Sequence, residues 1–373
     1  DKTPFEGHMG GDSVAQFHQV LSGVEVRAPG GGAGVGYLGM HSDCTSPGAP
    51  GVPTWHIEDC KMFDAQMSYL PMRSTVRRSV SAFRWQPDRH NQGYFTNQYS
   101  ASVTFEEVIF YKNGYKEDPR THADPRRTKF DRNIYQGGGA QMGHTYRNII
   151  SADGGSGGPQ MRLGGLCEDS LIIEGYWYSS TASNRHVNPW RTGGGQQGRS
   201  AVVRNNVQFI YQYPTPADPD SPGISQDSAQ PGKGYTLTGA SFGAIVEGNI
   251  ISGATLTDDL GLGEHERGSA IALKPRRERF QDGTFYTLQR CTLRGNIGYR
   301  LRSALSLGRD WTDSKGSIIE NNAFMADEVG GTSRRTKVKP GPEQLQVRGN
   351  RFYSNVESLP DEPWIGEGNT IAP

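Results

Sequence analysis

FDRNIYQGGGAQMGHTYRNIISADGGSGGPQMRLGGLCEDSLII, residues Phe130 to Ile173, holds two copies of one pattern: an apolar pair, a short polar step, then another apolar pair. Tyr146-Arg147-Asn148-Ile149-Ile150 is one copy and Cys167-Glu168-Asp169-Ser170-Leu171-Ile172 is the next. Glycine-rich turns separate them, with a further short strand-like piece at Pro159-Gln160-Met161-Arg162. Neither copy is long enough to bury a core of its own. Stacked, they bury one together, so the pair reads as two successive coils of a solenoid.

The same string recurs outward in both directions. Its copies carry Cys60, Ser79, Val108, Asn148, Ser170, Asn206, Asn249, Asn296, Asn322 and Asn350 at the aligned position. The short steps between them, 19 to 29 residues, match one three-sided β-coil, and the long steps, 36 to 47, require inserted loops or a further coil. Pro/Gly/Asp/Ser-rich segments at 116–129, 181–198, 215–233 and 256–267 supply those insertions. No copy shows a helical period, whereas alternation about a turn fits most of them. The repeated Asn predicts a ladder, each amide bonding its own turn and the Asn on the coils above and below.

Bulk composition agrees with a thin core and many turns: 50 Gly, 22 Pro and 34% hydrophobic residues in 373. The 10% aromatic content argues against disorder. Lys plus Arg and Asp plus Glu are both 39, which excludes a globally basic nucleic-acid binder but not a local basic groove. No apolar run is long enough to span a bilayer. Cys44, Cys60, Cys167 and Cys291 lack metal spacing; Cys44 and Cys60 are near enough to bridge in an exported protein, and the other two read as buried thiols. Residues 1–9 read as a vector-derived leader ending in Gly7-His8-Met9. Residues 10–54 then read as an N-terminal cap region, 55–355 as the solenoid and 356–373 as a C-terminal tail or cap.

The string V/I-x-x-N-x-I/F with Gly-Asn or Asn-Asn at the turn resembles that of right-handed parallel β-helix proteins of the pectate-lyase-like superfamily. Asn133-Ile134-Tyr135 and Gly158-Pro159-Gln160-Met161-Arg162-Leu163-Gly164-Gly165 are similar to stretches of bacterial β-helix proteins linked to polysaccharide breakdown. The resemblance implies an all-β chain with a single right-handed parallel β-helix, inserted loops and an N-terminal cap. It also implies a secreted or periplasmic bacterial protein that acts on a polysaccharide.

Stacked strands present outward side chains in columns about 4.8 Å apart, a spacing suited to an extended polymer. Residues 90–94, 131–135 and 160–162 fall in comparable places and gather the densest polar cluster in the chain. β-Elimination of a uronate polymer needs a group to stabilise the substrate carboxylate, a base and an acid. Arg132 and Arg162 fit the first service, His90 or Lys116 the second, and Tyr135 or Tyr115 the third. Gln92, Tyr94, Asp131, Asn133, His144 and Gln160 complete a substrate-binding set, with Tyr111, Tyr176, Trp177 and Tyr178 as further aromatic platforms. Each residue also has an ordinary structural role open to it; Arg162, for instance, could pair with Glu168 or Asp169.

Two rival readings stand beside the lyase. A glycoside hydrolase would use two carboxyl groups, for which Asp131 with Asp153 are placed better than Glu168 with Asp169. A non-catalytic carbohydrate-binding module is the other, and the concentration of polar residues on a few coils argues against it. No metal ligands are assigned; calcium is the one cofactor left open, through Thr257-Asp258-Asp259 or the Asp118/Asp124 loop. The expected partner is an acidic polysaccharide, with neither nucleic acid nor membrane and no oligomeric state assigned.

Overall fold

The computed structural model describes residues 18–27, 37–38, 54–68, 70, 73–87, 91–96, 102–122, 125, 132–136, 143–155, 158–161, 164–174, 180–182, 201–210, 233–239, 243–253, 268–275, 278–279, 285–286, 288–308, 310–332, 338–353 and 355–372. Every regular element among them is a β-strand. One 11-stranded parallel sheet, here the first face, stacks its strands in chain order from His18–Ser22 to Leu345–Arg348. A 20-stranded sheet divides into two further columns. The second face runs from Glu25–Arg27 to Thr370–Ile371, and the third from Tyr37–Leu38 through Gln92–Thr96 and Arg132–Gln136 to Ser269–Pro275. Strands Ile297–Leu307 and Ala323–Thr332 run through from the second face into the third and join them. Glu278–Arg279 and Phe285–Tyr286 form a small antiparallel pair. The architecture is a parallel, solenoid-like stack of coils.

The stack extends beyond both expected limits. At the N-terminal end His18–Ser22, Glu25–Arg27 and Tyr37–Leu38 pair in register with 54–58, 61–63 and 66–67, one strand on each face. At the other end, Ile365 bridges to Val347 and Thr370–Ile371 pairs with Arg351–Phe352, so the segment after 355 also continues the coils.

Alternation decides which side chains go inside. On the first face Ile57, Val76, Phe105, Tyr146, Cys167, Val203, Val246, Leu293, Ile319 and Val347 stand in one register column and are buried. Each Val, Leu, Ile and Phe of the column contributes the transfer free energy of an apolar side chain, about 1.5–3 kcal/mol. Cys60, Cys167 and Cys291 are free, buried thiols; Cys44 lies outside the described residues. Burial pushes the Cys167 and Cys291 thiols up to about 12, so both stay protonated and behave as small apolar groups.

Each first-face strand ends in a turn with one residue in the left-handed region: Gly23, Asp59, Arg78, Glu107, Asn148, Asp169, Asn205, Gly248, Gly295, Asn321 and Gly349, at φ between 43° and 68°. The next residue forms the ladder. Ser170 N–H donates to Asn206 Oδ1 at 3.0 Å, and the Nδ2 amides of Asn206, Asn249, Asn296, Asn322 and Asn350 each donate to the Oδ1 of the next Asn at 2.9–3.0 Å, ending on Asn369. Earlier coils use a hydroxyl instead: Ser79 Oγ accepts from Cys60 N–H, and Ser170 Oγ accepts from Ile149 N–H. Asn148 is therefore one position off the ladder. Arg147 pairs with Glu168, which aligns Asn148 with the left-handed Asp169 and puts Ile149 at the ladder position. Asn is among the few residues that tolerate the left-handed region, so an Asn at either place is locally plausible, and only register separates them.

Candidate active site

The third face positions the polar cluster. Register there pairs Gln92 with Arg132, Tyr94 with Ile134, Phe95 with Tyr135 and Thr96 with Gln136; the next coil sets Gln160 against Tyr135 and Met161 against Gln136. The neighbouring placement expected from sequence is therefore found, with a slip of one residue. Tyr94 does not stack on Tyr135, and a one-residue slip turns a side chain to the opposite side of a sheet.

Tyr94 consequently points into the coil, fully buried, its ring 4.6 Å from Phe105 and its hydroxyl 3.1 Å from His144 Nε2. His144 is equally buried, and its Nδ1 accepts from Val103 N–H at 3.1 Å. That bond leaves Nε2 to carry the proton and donate it to Tyr94. Burial pushes the imidazole down to about 3, so His144 is a neutral core group. Neither Tyr94 nor His144 is placed to touch a polymer. Asn133 is also turned away: it accepts from Asn113 Nδ2 at 3.0 Å and donates to Ala152 O at 2.9 Å, in a second, shorter ladder that reaches Arg84 N–H through Asn113 Oδ1.

Tyr115 is buried in the same way. It is 1% exposed, and its hydroxyl donates to the backbone oxygen of Asp153 at 2.8 Å and to its Oδ1 at 3.0 Å. Lys116 beside it is 7% exposed, which removes both from an open groove. Asp153 is engaged by Tyr115 and stands 3.8 Å from Lys112 Nζ, so one member of the expected hydrolase pair already has local partners. Its partner Asp131 lies outside the described residues, as do His90 and Arg162.

What remains open is an outward column on three successive coils: Phe95, Tyr135 and Gln160, each half-buried. The Phe95 and Tyr135 rings stack with centroids 5.7 Å apart and planes inclined by 20°. The Arg132 guanidinium, on the strand that carries Tyr135, sits 6.0 Å from the Tyr135 ring centroid. Arg132 and Gln92 are about 4% exposed, so they back the platform rather than extend from it. Farther along the same column Thr236 and Ala272 are fully buried. The aromatic pair offers an apolar platform, the phenol a proton donor and acceptor, and the guanidinium a fixed positive charge.

Sequence reading missed Phe95, and strict alternation would have found it: once Tyr94 is inside, Phe95 must be outside. It also missed two charged networks. Arg120 joins two carboxylates, with Nη2 2.8 Å from both Asp64 Oδ1 and Asp118 Oδ2, and so fastens the 116–122 turn to the turn at Asp64. Burial pushes the Asp64 carboxyl up despite Arg120, whereas the Arg120 hydrogen bond holds Asp118 below the usual range. The second network is a ladder of alternating sign on the first face, one rung per coil: Glu58, Arg77, Glu106, Arg147, Glu168, Arg204, Glu247, Arg294, Glu320, Arg348. Glu168 is held by Arg147 Nε at 2.7 Å and Arg204 Nη2 at 2.7 Å; Arg162, the other partner considered for it, lies outside the described residues. Among the described residues no group of three or more His, Cys, Asp or Glu is placed to hold a metal ion, and no helix is long and apolar enough to cross a membrane. Compared with family models, with curated proteins and with solved structures, the chain gives no match, so its functional reading rests on its own geometry.

Proposed function

We propose that this chain is a polysaccharide-degrading enzyme, a lyase that cleaves a uronate-containing polymer by β-elimination on the third face of one right-handed parallel β-helix. Right-handedness follows from the strong bias of crossovers between parallel strands, and the repeat's resemblance to the pectate-lyase-like superfamily supports it. A single observation carries the activity: the stacked Phe95–Tyr135 platform with the Arg132 charge behind it, on the coils where that column is accessible. Sugar rings pack on such platforms by their apolar faces. The Tyr135 phenol then gives its proton to the glycosidic oxygen as the bond from the β-carbon to that oxygen breaks, and its oxygen takes up the α-proton. The electron pair left at the α-carbon forms the new C=C bond, while Arg132 favours the negative charge that develops there. Gln160, one coil on, supplies a hydrogen bond to the neighbouring sugar.

Cleavage by elimination leaves an unsaturated uronate that absorbs in the near ultraviolet, and hydrolysis does not. Screening the purified protein against uronate polymers and neutral glycans for both absorbance and new reducing ends tests the proposal. Both signals rising together is the expected result. Reducing ends without absorbance would replace the lyase by a hydrolase, and silence against every uronate polymer would favour a binding module. The same reading places the chain outside the bacterial cytoplasm, where such polymers occur.

A further inference from the structure

The outward side of the second face is apolar along most of the stack. One column runs through Ile109, Ile150, Leu171, Val207, Ile250 and Ile297 on successive coils, between Val80 and Ala323. Four of these isoleucines are 36–50% exposed: Ile150 36%, Ile109 39%, Ile250 44% and Ile297 50%. Isolated exposed aliphatics need no explanation, but a contiguous stripe does. Lys61 and Arg351 occupy the next rung at either end, so the stripe is bounded by charge.

The alternating ladder lies three residues earlier in each coil and borders the stripe along its length. Its ten rungs and the stripe share one midpoint, between the Glu168–Leu171 coil and the Arg204–Val207 coil. We infer that the border of the first and second faces, stripe and ladder together, binds a second copy of the chain with the solenoid axes antiparallel, about a two-fold axis through that midpoint. Reversal about the midpoint sets every Glu of the ladder over an Arg of the other copy. Glu58 then faces Arg348, Glu106 faces Arg294 and Glu168 faces Arg204, while the stripe packs on itself. A parallel arrangement gives no such match. Self-complementarity of this kind is what an isologous two-fold contact requires. The column from Val80 to Ala323 runs about 34 Å, seven steps of ~4.8 Å, and the ladder about 43 Å, nine steps.

Sedimentation equilibrium over the micromolar range should give twice the chain mass of 40.8 kDa. The Ile150→Glu/Ile250→Glu variant should give the single-chain mass with an unchanged circular-dichroism spectrum. Orientation is read by cross-linking in a Cys44→Ser background. Ile109→Cys and Ile297→Cys chains, mixed and oxidised with copper phenanthroline, should form a disulfide-linked pair. Either variant alone should not, since like positions would lie about 24 Å apart, five rungs of ~4.8 Å. A chain that stays at single mass throughout overturns the inference. So does a dimer that survives the double Glu variant, or a cross-link formed by Ile109→Cys with itself. Binding of the monomer to lipid vesicles through this stripe would overturn it equally.

Discussion

At the scale of single residues, the turn after each first-face strand shows two adjacent positions with opposite demands. Asn296 donates to Val246 O and Asn322 Oδ1, and accepts from both the backbone and the side chain of Asn249. Asn296→Ala removes these four bonds. Asn322 Oδ1 keeps the Asn296 backbone N–H and Asn249 Nδ2 keeps Val203 O and Glu247 O, so the cost falls on Asn249 N–H and Val246 O, at about 1–3 kcal/mol for each that finds no new partner. A loss of roughly 3 kcal/mol in urea unfolding is expected, without a change in m-value. The neighbouring turn position behaves differently. Asn321 holds φ 56°, a conformation glycine adopts freely, and Gly248, Gly295 and Gly349 already fill that place on other coils. Asn321→Gly should therefore be neutral within about 0.5 kcal/mol.

His144 makes a second residue-scale prediction, about pH. The unfolded chain takes up a proton at the ordinary imidazole value of 6.5, while the folded chain resists until about 3 because the ring is buried. A depressed histidine gives stability that is fully present above pH 6.5 and lost as pH falls toward 3, because there the unfolded state binds more protons. The loss by pH 3 is on the order of 4 kcal/mol at ~1.4 kcal/mol per pH unit. Thermal melts of wild type and His144→Gln should diverge most between pH 7 and 8 and converge toward pH 4. Parallel curves would show that His144 does not govern the acid limb.

At the scale of elements, the ladder of alternating charge helps specify which coil lies on which. Coils of similar sequence invite register slips, and a shift by one coil would set like charges together along the whole first face. Glu168 is the rung to test. Burial alone would raise its carboxyl, and the hydrogen bonds from Arg147 and Arg204 more than reverse this, holding it below the usual range. Glu168→Arg, which would stack three arginines, should cost about 1–3 kcal/mol, the range for losing hydrogen bonds to a charged group, with solvent at the half-exposed Arg147 and Arg204 screening part of the repulsion. Glu320→Arg should cost less, since Glu320 is more exposed, at 21%, and solvent screens its pair with Arg348. Equal costs at the two rungs, measured by denaturant unfolding, would argue against this account.

The coils themselves were legible in sequence because the turn repeats its chemistry: a β-branched residue inside, a left-handed residue, then Asn. The slips came where that chemistry is ambiguous. Asn148 could serve either turn position, and Tyr94-Phe95 offered two aromatic residues for one outward place. Only the pairing of strands resolves such cases. The N-terminal coil was missed for a related reason, since Gly23 and Val24 fill the left-handed and ladder positions without an Asn or Ser to mark them. The candidate site was less legible than the fold. Tyr94, Tyr115, Asn133 and His144 have the chemistry of a site and the burial of a core, and chemistry alone does not separate the two.

At the scale of the whole molecule, a rigid stack of coils offers three long faces, and each carries a different pattern. The first has the charge ladder, the second the aliphatic stripe, and the third the short accessible run at Phe95, Tyr135 and Gln160. A polymer lying along the third face would cross these residues at the strand repeat, with the platform in place before binding. Phe95→Ala should then raise KM several-fold with a smaller effect on kcat, since the ring contributes binding in ground state and transition state alike. The central claim is that Tyr135 transfers the proton in an elimination, and turnover of Tyr135→Phe on a uronate polymer tests it most directly, followed by near-ultraviolet absorbance. We predict a loss of at least ~100-fold in kcat with KM held within a few-fold and the fold intact by circular dichroism; full turnover in the folded variant would contradict the account.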